Sequence, residues 1–213
     1  MTVLTGCKKD EEVKVDLGLD YYPTTVGSWV EYQVDSLWRD DPSAVRDSVS
    51  YRLLERVAEA YTDDEGRPAR RILRYVRNEN DEWVVRDVWS STANSSAAEM
   101  TEENMRRLKL SFPVRAGRTW DANIYNTEAE LMVAYGTVDE PYTLNGLNYV
   151  NTVLVKNTVP PNFVVKRELQ ERYARGVGMI SKYREETNTQ VVGGQMSVVG
   201  WRLNMTAVAH GTE

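Results

Sequence analysis

The two residue types with the widest catalytic and metal chemistry each occur once. Cys7 lies near the start of the 213-residue sequence, and His210 lies near its end. A Ser-His-Asp relay and a Cys-His pair need a histidine inside a rigid site, and a catalytic zinc ion needs several nitrogen or sulfur ligands. The single histidine near the C-terminus argues against all of these mechanisms. The single cysteine excludes an intramolecular disulfide.

Carboxylates are the remaining catalytic candidates, because the chain contains 32 Asp and Glu residues. Glycoside hydrolysis needs two carboxyl groups across a cleft, one of them with a raised pKa. Glu168 with Glu171, or Asp121, could be selected, but acids on polar strand faces and in turns are ordinarily solvated. The acidic turns 62–66 and 78–82 lack the ligand order of an EF-hand. We therefore expect no catalytic residue, no metal and no cofactor.

The glycine and arginine patterns do not indicate an anion site. The stretch GVGMIS at 176–181 breaks the phosphate-binding pattern at Ser181 and has no βαβ context, so we interpret it as a bend in a strand. The five arginines between positions 67 and 77 alternate between strand faces, and we interpret them as solvated. A net charge of −6 disfavours nucleic acid and disfavours electrostatic docking on anionic lipid.

Six tryptophans could supply aromatic platforms for a flat ligand such as a sugar, so a glycan stays open as a partner. Trp201 belongs to the clearest predicted strand, in which Val199, Leu203 and Met205 share its face. We interpret this face as core. Trp201, Leu203 and Met205 form a candidate ligand face if the sheet leaves them uncovered.

The cysteine has its own interpretation. Residues 4–7, LTGC, resemble the lipobox of bacterial lipoproteins, in which an aliphatic residue, a small residue and Gly or Ala precede a cysteine. In such proteins the thiol is diacylglycerated and becomes the first residue after cleavage. One acyl chain holds a protein on a bilayer only marginally, whereas two or three hold it stably. The resemblance implies that Cys7 is a lipid anchor and that a membrane is a partner.

A charged stretch follows this cysteine and resembles the export signal of Bacteroidota lipoproteins. It consists of Lys8, Lys9, Asp10, Glu11 and Glu12. The resemblance implies an outer-membrane lipoprotein of the cell envelope, exposed at the cell surface rather than retained in the periplasm. We expect residues 1–20 to hold a truncated signal, the lipobox and a charged tether. The uncharged runs 141–155 and 187–201 are too short and polar for a transmembrane helix.

The rest of the sequence predicts a mainly β fold, because apolar and polar residues alternate in most segments. Asn145-Gly146 predicts a hairpin turn, and Gly176 and Gly178 predict a bulge or sharp bend. Ser96 with Glu99 resembles a helix capping box. We expect residues 21–213 to form a single β-rich domain. Its architecture is an antiparallel curved sheet, open barrel or sandwich of about nine or ten strands, with at most one or two short helices.

Three segments resemble stretches that recur, in this order, in Bacteroidota cell-envelope lipoproteins without an established activity. They are YYPTTVGSWVEYQVDS at 21–36, LSFPVRAGRTWDANIYN at 110–126 and YARGVGMISKYRE at 173–185. The resemblance implies secretion and a β-rich domain. It carries over no catalytic residue.

These observations favour a lipid-anchored cell-envelope protein that is not an enzyme and that binds or structurally supports a partner at the outer membrane. One alternative is a carrier that holds an apolar ligand in the concave face of the sheet. Another is a carboxylate hydrolase. An open cavity would favour the carrier, an exposed aromatic row would favour glycan or protein binding, and two carboxylates about 5–10 Å apart in a cleft would favour the hydrolase.

Overall fold

The computed structural model describes residues 15–160 and 162–213. The predicted anchor, Cys7, and the predicted export signal at 8–12 lie outside these residues. A single 3₁₀ turn, Leu19–Tyr21, precedes the first strand. Within the described part of the chain, no helix has the length and apolar character needed to cross a bilayer.

Twelve strands form one antiparallel sheet. They are β1 (Ser28–Asp40), β2 (Val45–Thr62), β3 (Pro68–Arg77), β4 (Trp83–Ala93), β5 (Ala97–Glu102), β6 (Met105–Ser111), β7 (Thr119–Asp121), β8 (Met132–Leu144), β9 (Leu147–Asn157), β10 (Val165–Ala174), β11 (Gly178–Val192) and β12 (Gln195–Thr212). The spatial order is β6-β5-β4-β3-β2-β1-β12-β11-β10-β9-β8-β7. Consecutive strands therefore pair with each other, except β6 and β7, which form the two edges of the sheet. The pairing of β1 with β12 joins two meanders.

The expected mainly β, antiparallel curved sheet is confirmed, but the strand number of nine or ten is too low. The sandwich alternative is wrong, because all strands belong to one sheet. The capping box at Ser96 is also wrong. The side chain of Asn94 accepts hydrogen bonds from the backbone of Ser96 (2.7 Å) and Ala97 (3.0 Å), which makes a turn and starts β5 instead of a helix.

Two turn predictions have different outcomes. Asn145 and Gly146 both have positive φ angles, 51° and 81°, and form the expected two-residue hairpin between β8 and β9. Gly176 lies in a hairpin turn between β10 and β11, so the long alternating segment is two strands rather than one bent strand. The division at this turn and the short strands β5 and β7 explain why the predicted number of strands was too low.

The two ends of the sheet approach each other and nearly close a barrel. The backbone N–H of Leu108 in β6 donates to the carbonyl of Ala122, just after β7 (3.0 Å). The indole of Trp120 donates to the carbonyl of Leu108 (3.1 Å). The hydroxyl of Tyr135 in β8 donates to the carbonyl of Ser111 (2.9 Å). These contacts connect edges that would otherwise expose unpaired backbone groups.

Residues 15–27 close one end of this barrel. Tyr21 and Tyr22 are buried in its core. Arg175, in the β10–β11 turn, pairs with Asp16 at 2.9 Å and Asp20 at 2.7 Å, both in this segment. We call this side the closed end. The opposite side, which carries the β1–β2 and β11–β12 turns, is the open end.

A glycine near the open end provides a test of the strand pairing. Gly200 in β12 has φ of 145°, and a Cβ there would lie 2.0 Å from the backbone oxygen of Glu186 in β11. Gly200→Ala should therefore lower the free energy of unfolding by about 1–3 kcal/mol in urea denaturation. The control Gly66→Ala, where a Cβ meets no atom within 4 Å, should cost less. Equal losses in the two variants would contradict the pairing.

Candidate functional site

The barrel encloses a cavity of about 700 Å³. This volume lies within the range of about 300–1,000 Å³ typical of small-molecule sites. The wall combines apolar and charged side chains. Its aromatic residues are Tyr22, Trp29, Tyr32, Tyr51, Trp89 and Tyr173. Its charged residues are Glu55, Arg56, Arg74, Arg86, Glu102, Glu103, Lys109, Lys182 and Arg184.

The exposure of the wall residues shows where the cavity meets solvent. Tyr22 and Val57 line it near the closed end and are buried. Val49, Arg86 and Glu103 line it away from that end and are exposed. A ligand would therefore enter at the open end, away from the segment 15–27.

Four charged residues form a cluster in the interior, which we call the lysine–glutamate cluster: Glu102, Lys109, Glu171 and Lys182. The ammonium of Lys109 donates to Glu171 at 2.6 Å and to Glu102 at 3.2 Å. The hydroxyl of Tyr173 donates to the other oxygen of Glu171 at 2.6 Å. The members come from β5, β6, β10 and β11, so the cluster joins walls that are distant along the sheet.

The cluster keeps its carboxylates ionised. Burial acts to raise the pKa of both Glu102 and Glu171, but Lys109 and Lys182 outweigh it. The pKa of Glu171 falls to about 2, and that of Glu102 falls well below its usual range. The neighbouring carboxylates raise the pKa of Lys109 although burial opposes this. A general acid needs a raised pKa, and neither carboxyl has one.

A second charged group lies on β2, β3 and β4. The Arg74 guanidinium donates from Nε to Glu55 at 2.9 Å and from Nη1 to Asp87 at 2.8 Å. It also lies 3.7 Å from the ring centroid of Trp89, a cation–π geometry. Arg74 is 7% exposed, so the interpretation of the arginines at 67–77 as solvated is wrong for this residue.

Two of the three residues of the predicted ligand face line the cavity. Leu203 and Met205 line it, whereas Trp201 is not among the lining residues. The ring of Trp201 lies 5.3 Å from the Arg184 guanidinium, which does line the cavity. The face is not purely apolar, because Leu203 and Met205 pair across strands with Arg184 and Lys182.

The carboxylates considered for hydrolysis are not brought together. Glu168 and Glu171 point to opposite faces of β10, as their odd spacing along a strand requires. Asp121 accepts hydrogen bonds from the backbone of Asn123 (2.9 Å) and Leu131 (2.8 Å), so it holds a turn. In 15–160 and 162–213, no three His, Cys, Asp or Glu residues come together as a metal site would require.

The lysine–glutamate cluster was not predicted, although the sequence contains one signal for it. Glu171 is in phase with Leu169 and Tyr173, on the apolar face of its segment. A charge at an inward position of an alternating strand indicates a buried ion pair or a ligand contact. Lys109 gave no such signal, because it alternates with Leu108 and Leu110.

Comparisons with known proteins add one structural similarity. No family model matches the chain, and neither does any curated protein. A similar solved structure is described as a "putative lipoprotein from Parabacteroides distasonis ATCC 8503". It is 11% identical with a TM-score of 0.48, and the match covers 90% of this chain and 98% of that chain.

The lowered pKa of Glu171 predicts a specific pH dependence. Its folded pKa is about 2, whereas an unperturbed glutamate has about 4.3, so its contribution to stability is complete above about pH 5 and is lost as the pH falls towards 2. The free energy of unfolding should fall over this window in the wild type. Glu171→Gln should flatten that fall.

Urea denaturation at a series of pH values measures this effect. Glu168→Gln, on the opposite face of the same strand, is the matched control and should keep the wild-type slope. Equal slopes for Glu171→Gln and the wild type would contradict the assignment of Glu171 to the cluster.

Proposed function

We propose that this protein is a lipid-anchored binding protein of the cell envelope that holds a ligand in the cavity of its barrel. The cavity of about 700 Å³, open at one end, carries this proposal. Among the three functions weighed from the sequence, an open cavity supports the carrier, because a purely structural module has no need of an unfilled interior. Because charged side chains also line the cavity, we expect a ligand that carries a polar group in addition to an apolar body.

The proposed role is non-enzymatic. Both carboxylates of the lysine–glutamate cluster are ionised and paired with lysine, so they lack the acid that hydrolysis needs. In the second charged group two cations, Arg74 and Arg86, pair with the carboxylates of Glu55 and Asp87, so it is likewise balanced. These ion pairs suit the recognition of a bound molecule rather than the transfer of a proton.

The proposed cellular location is based on the sequence. Lipidation of Cys7 would attach the chain to a membrane without any need for a membrane-binding protein surface. The charged residues 8–12 favour a location at the outer membrane, on its outer face. The described chain begins beside the closed end, where Asp16 pairs with Arg175, and not at the open end.

The anchor is tested by metabolic labelling with an alkyne fatty acid in a bacterium that expresses the full-length gene. The wild type should incorporate the label and partition with membranes, whereas Cys7→Ala should do neither, because the only thiol is lost. An unlabelled wild-type protein in the soluble fraction would contradict the anchor.

Ligand binding in the cavity is tested with dodecanol as a probe, using isothermal titration calorimetry. Leu203→Trp adds bulk to the cavity wall and should weaken binding at least tenfold. Val150→Trp adds the same bulk at a position that is 77% exposed and should leave binding unchanged. Equal affinities in both variants would place the bound probe elsewhere.

A further inference from the structure

The two lysines of the cluster differ in how many of their hydrogen-bond donors are used. Lys109 donates hydrogen bonds to both carboxylates, as described above. Lys182 lies 3.4 Å from Glu171 and 3.8 Å from Glu102, and within the described residues its ammonium donates no hydrogen bond. Its side chain is only 11% exposed and lines the cavity. An ammonium carries three donors, so Lys182 is left with unused donors facing the space a ligand would fill.

The polar side chains of the wall are mainly hydrogen-bond donors. Six of the charged residues that line the cavity are basic and three are acidic. Carboxylates that balance the remaining cations, such as Glu171 and Asp87, are not among the lining residues. The side chains that a ligand meets are therefore mainly hydrogen-bond donors, although carboxylates behind them, among them Glu186 beside Arg184, offset their charge. A ligand that accepts hydrogen bonds suits these donors.

An apolar surface lies directly beside the unsatisfied ammonium. Lys182 in β11 is the cross-strand partner of Met205 in β12, and Arg184 is the partner of Leu203. Cross-strand partners point to the same face, so each cation has an apolar neighbour on the wall. Met179 lines the cavity on the same strand as Lys182.

We propose that the ligand is an organic anion with an apolar body, such as a carboxylic acid with an aliphatic chain. Its anionic group is bound by Lys182 with Arg184 beside it, and its apolar body packs on Met179, Leu203 and Met205. A neutral ligand would bring no charge to pair with the Lys182 ammonium, and a cationic one would be repelled. This inference rests on the proposed function, because it names the ligand class of the same cavity.

Three probes with the same chain separate the ligand class from the existence of the site. Dodecanoate, dodecanol and dodecylammonium are titrated into the protein at neutral pH, below their micelle concentrations, by isothermal titration calorimetry. Dodecanoate should bind about tenfold to a hundredfold more tightly than dodecanol, since its carboxylate forms an ion pair with the ammonium and the hydroxyl of dodecanol cannot, and dodecylammonium should bind weakest. Binding of all three with equal affinity would overturn the inference but keep the cavity. Binding of none would overturn the proposed function.

Variants locate the anionic group. Lys182→Met should lower the affinity for dodecanoate about tenfold to a hundredfold while leaving dodecanol within about twofold. Lys182→Arg keeps the charge and should retain dodecanoate binding. Lys156→Met, on an exposed position of β9, is the matched control. An unchanged preference for dodecanoate in Lys182→Met would overturn the role of Lys182. Should that variant not fold, the wild-type comparison of the three probes still decides the ligand class.

Discussion

The contact between Lys109 and Glu171 is the interaction on which the interior of this barrel depends. These residues are 62 positions apart and lie on strands from the two halves of the sheet, yet their charged atoms approach to 2.6 Å. Removing two charges from water is costly, and their attraction offsets this cost only when geometry is good and other hydrogen bonds help. Tyr173 supplies such a bond to Glu171. Loss of one partner would leave an uncompensated charge in the interior.

A charged interior also accounts for the cavity. An apolar core gains free energy by close packing, and a barrel of twelve strands lined only with large apolar residues could fill much of its centre. Here the Lys109 and Arg74 groups occupy the walls with paired charges. Two apolar clusters border the cavity, one around Tyr135 and Trp120 and one around Val34 and Leu53. Their members Tyr173, Tyr32 and Met205 line it.

The closure of the barrel gives the molecule a direction. Residues 15–27 fill one end and are tied there by Arg175, which pairs with Asp139 as well as with the aspartates of the segment. Wall residues at the other end are exposed. The described chain therefore begins at the end away from the proposed ligand opening.

Local sequence patterns predicted what local physics controls. Alternation indicated the β fold, and Asn145-Gly146 gave its hairpin because both residues tolerate positive φ. The pattern failed where pairing is not local. The position of Lys109 between Leu108 and Leu110 predicts that it lies on the polar face of its strand. It meets Glu171 only because the two ends of the sheet approach each other. The sequence pattern around Arg74 predicts a surface charge, whereas in the fold β2 and β4 supply carboxylates that pair with it. The cavity could not be predicted, because it depends on how far the walls stand apart.

An experimental structure of the protein with dodecanoate tests the central claim most directly. The carboxylate should lie within hydrogen-bond distance of the Lys182 ammonium and the alkyl chain along Leu203 and Met205, with the Lys109–Glu171 pair intact. An interior filled by its own side chains, or dodecanoate bound only on the outer surface, would contradict it.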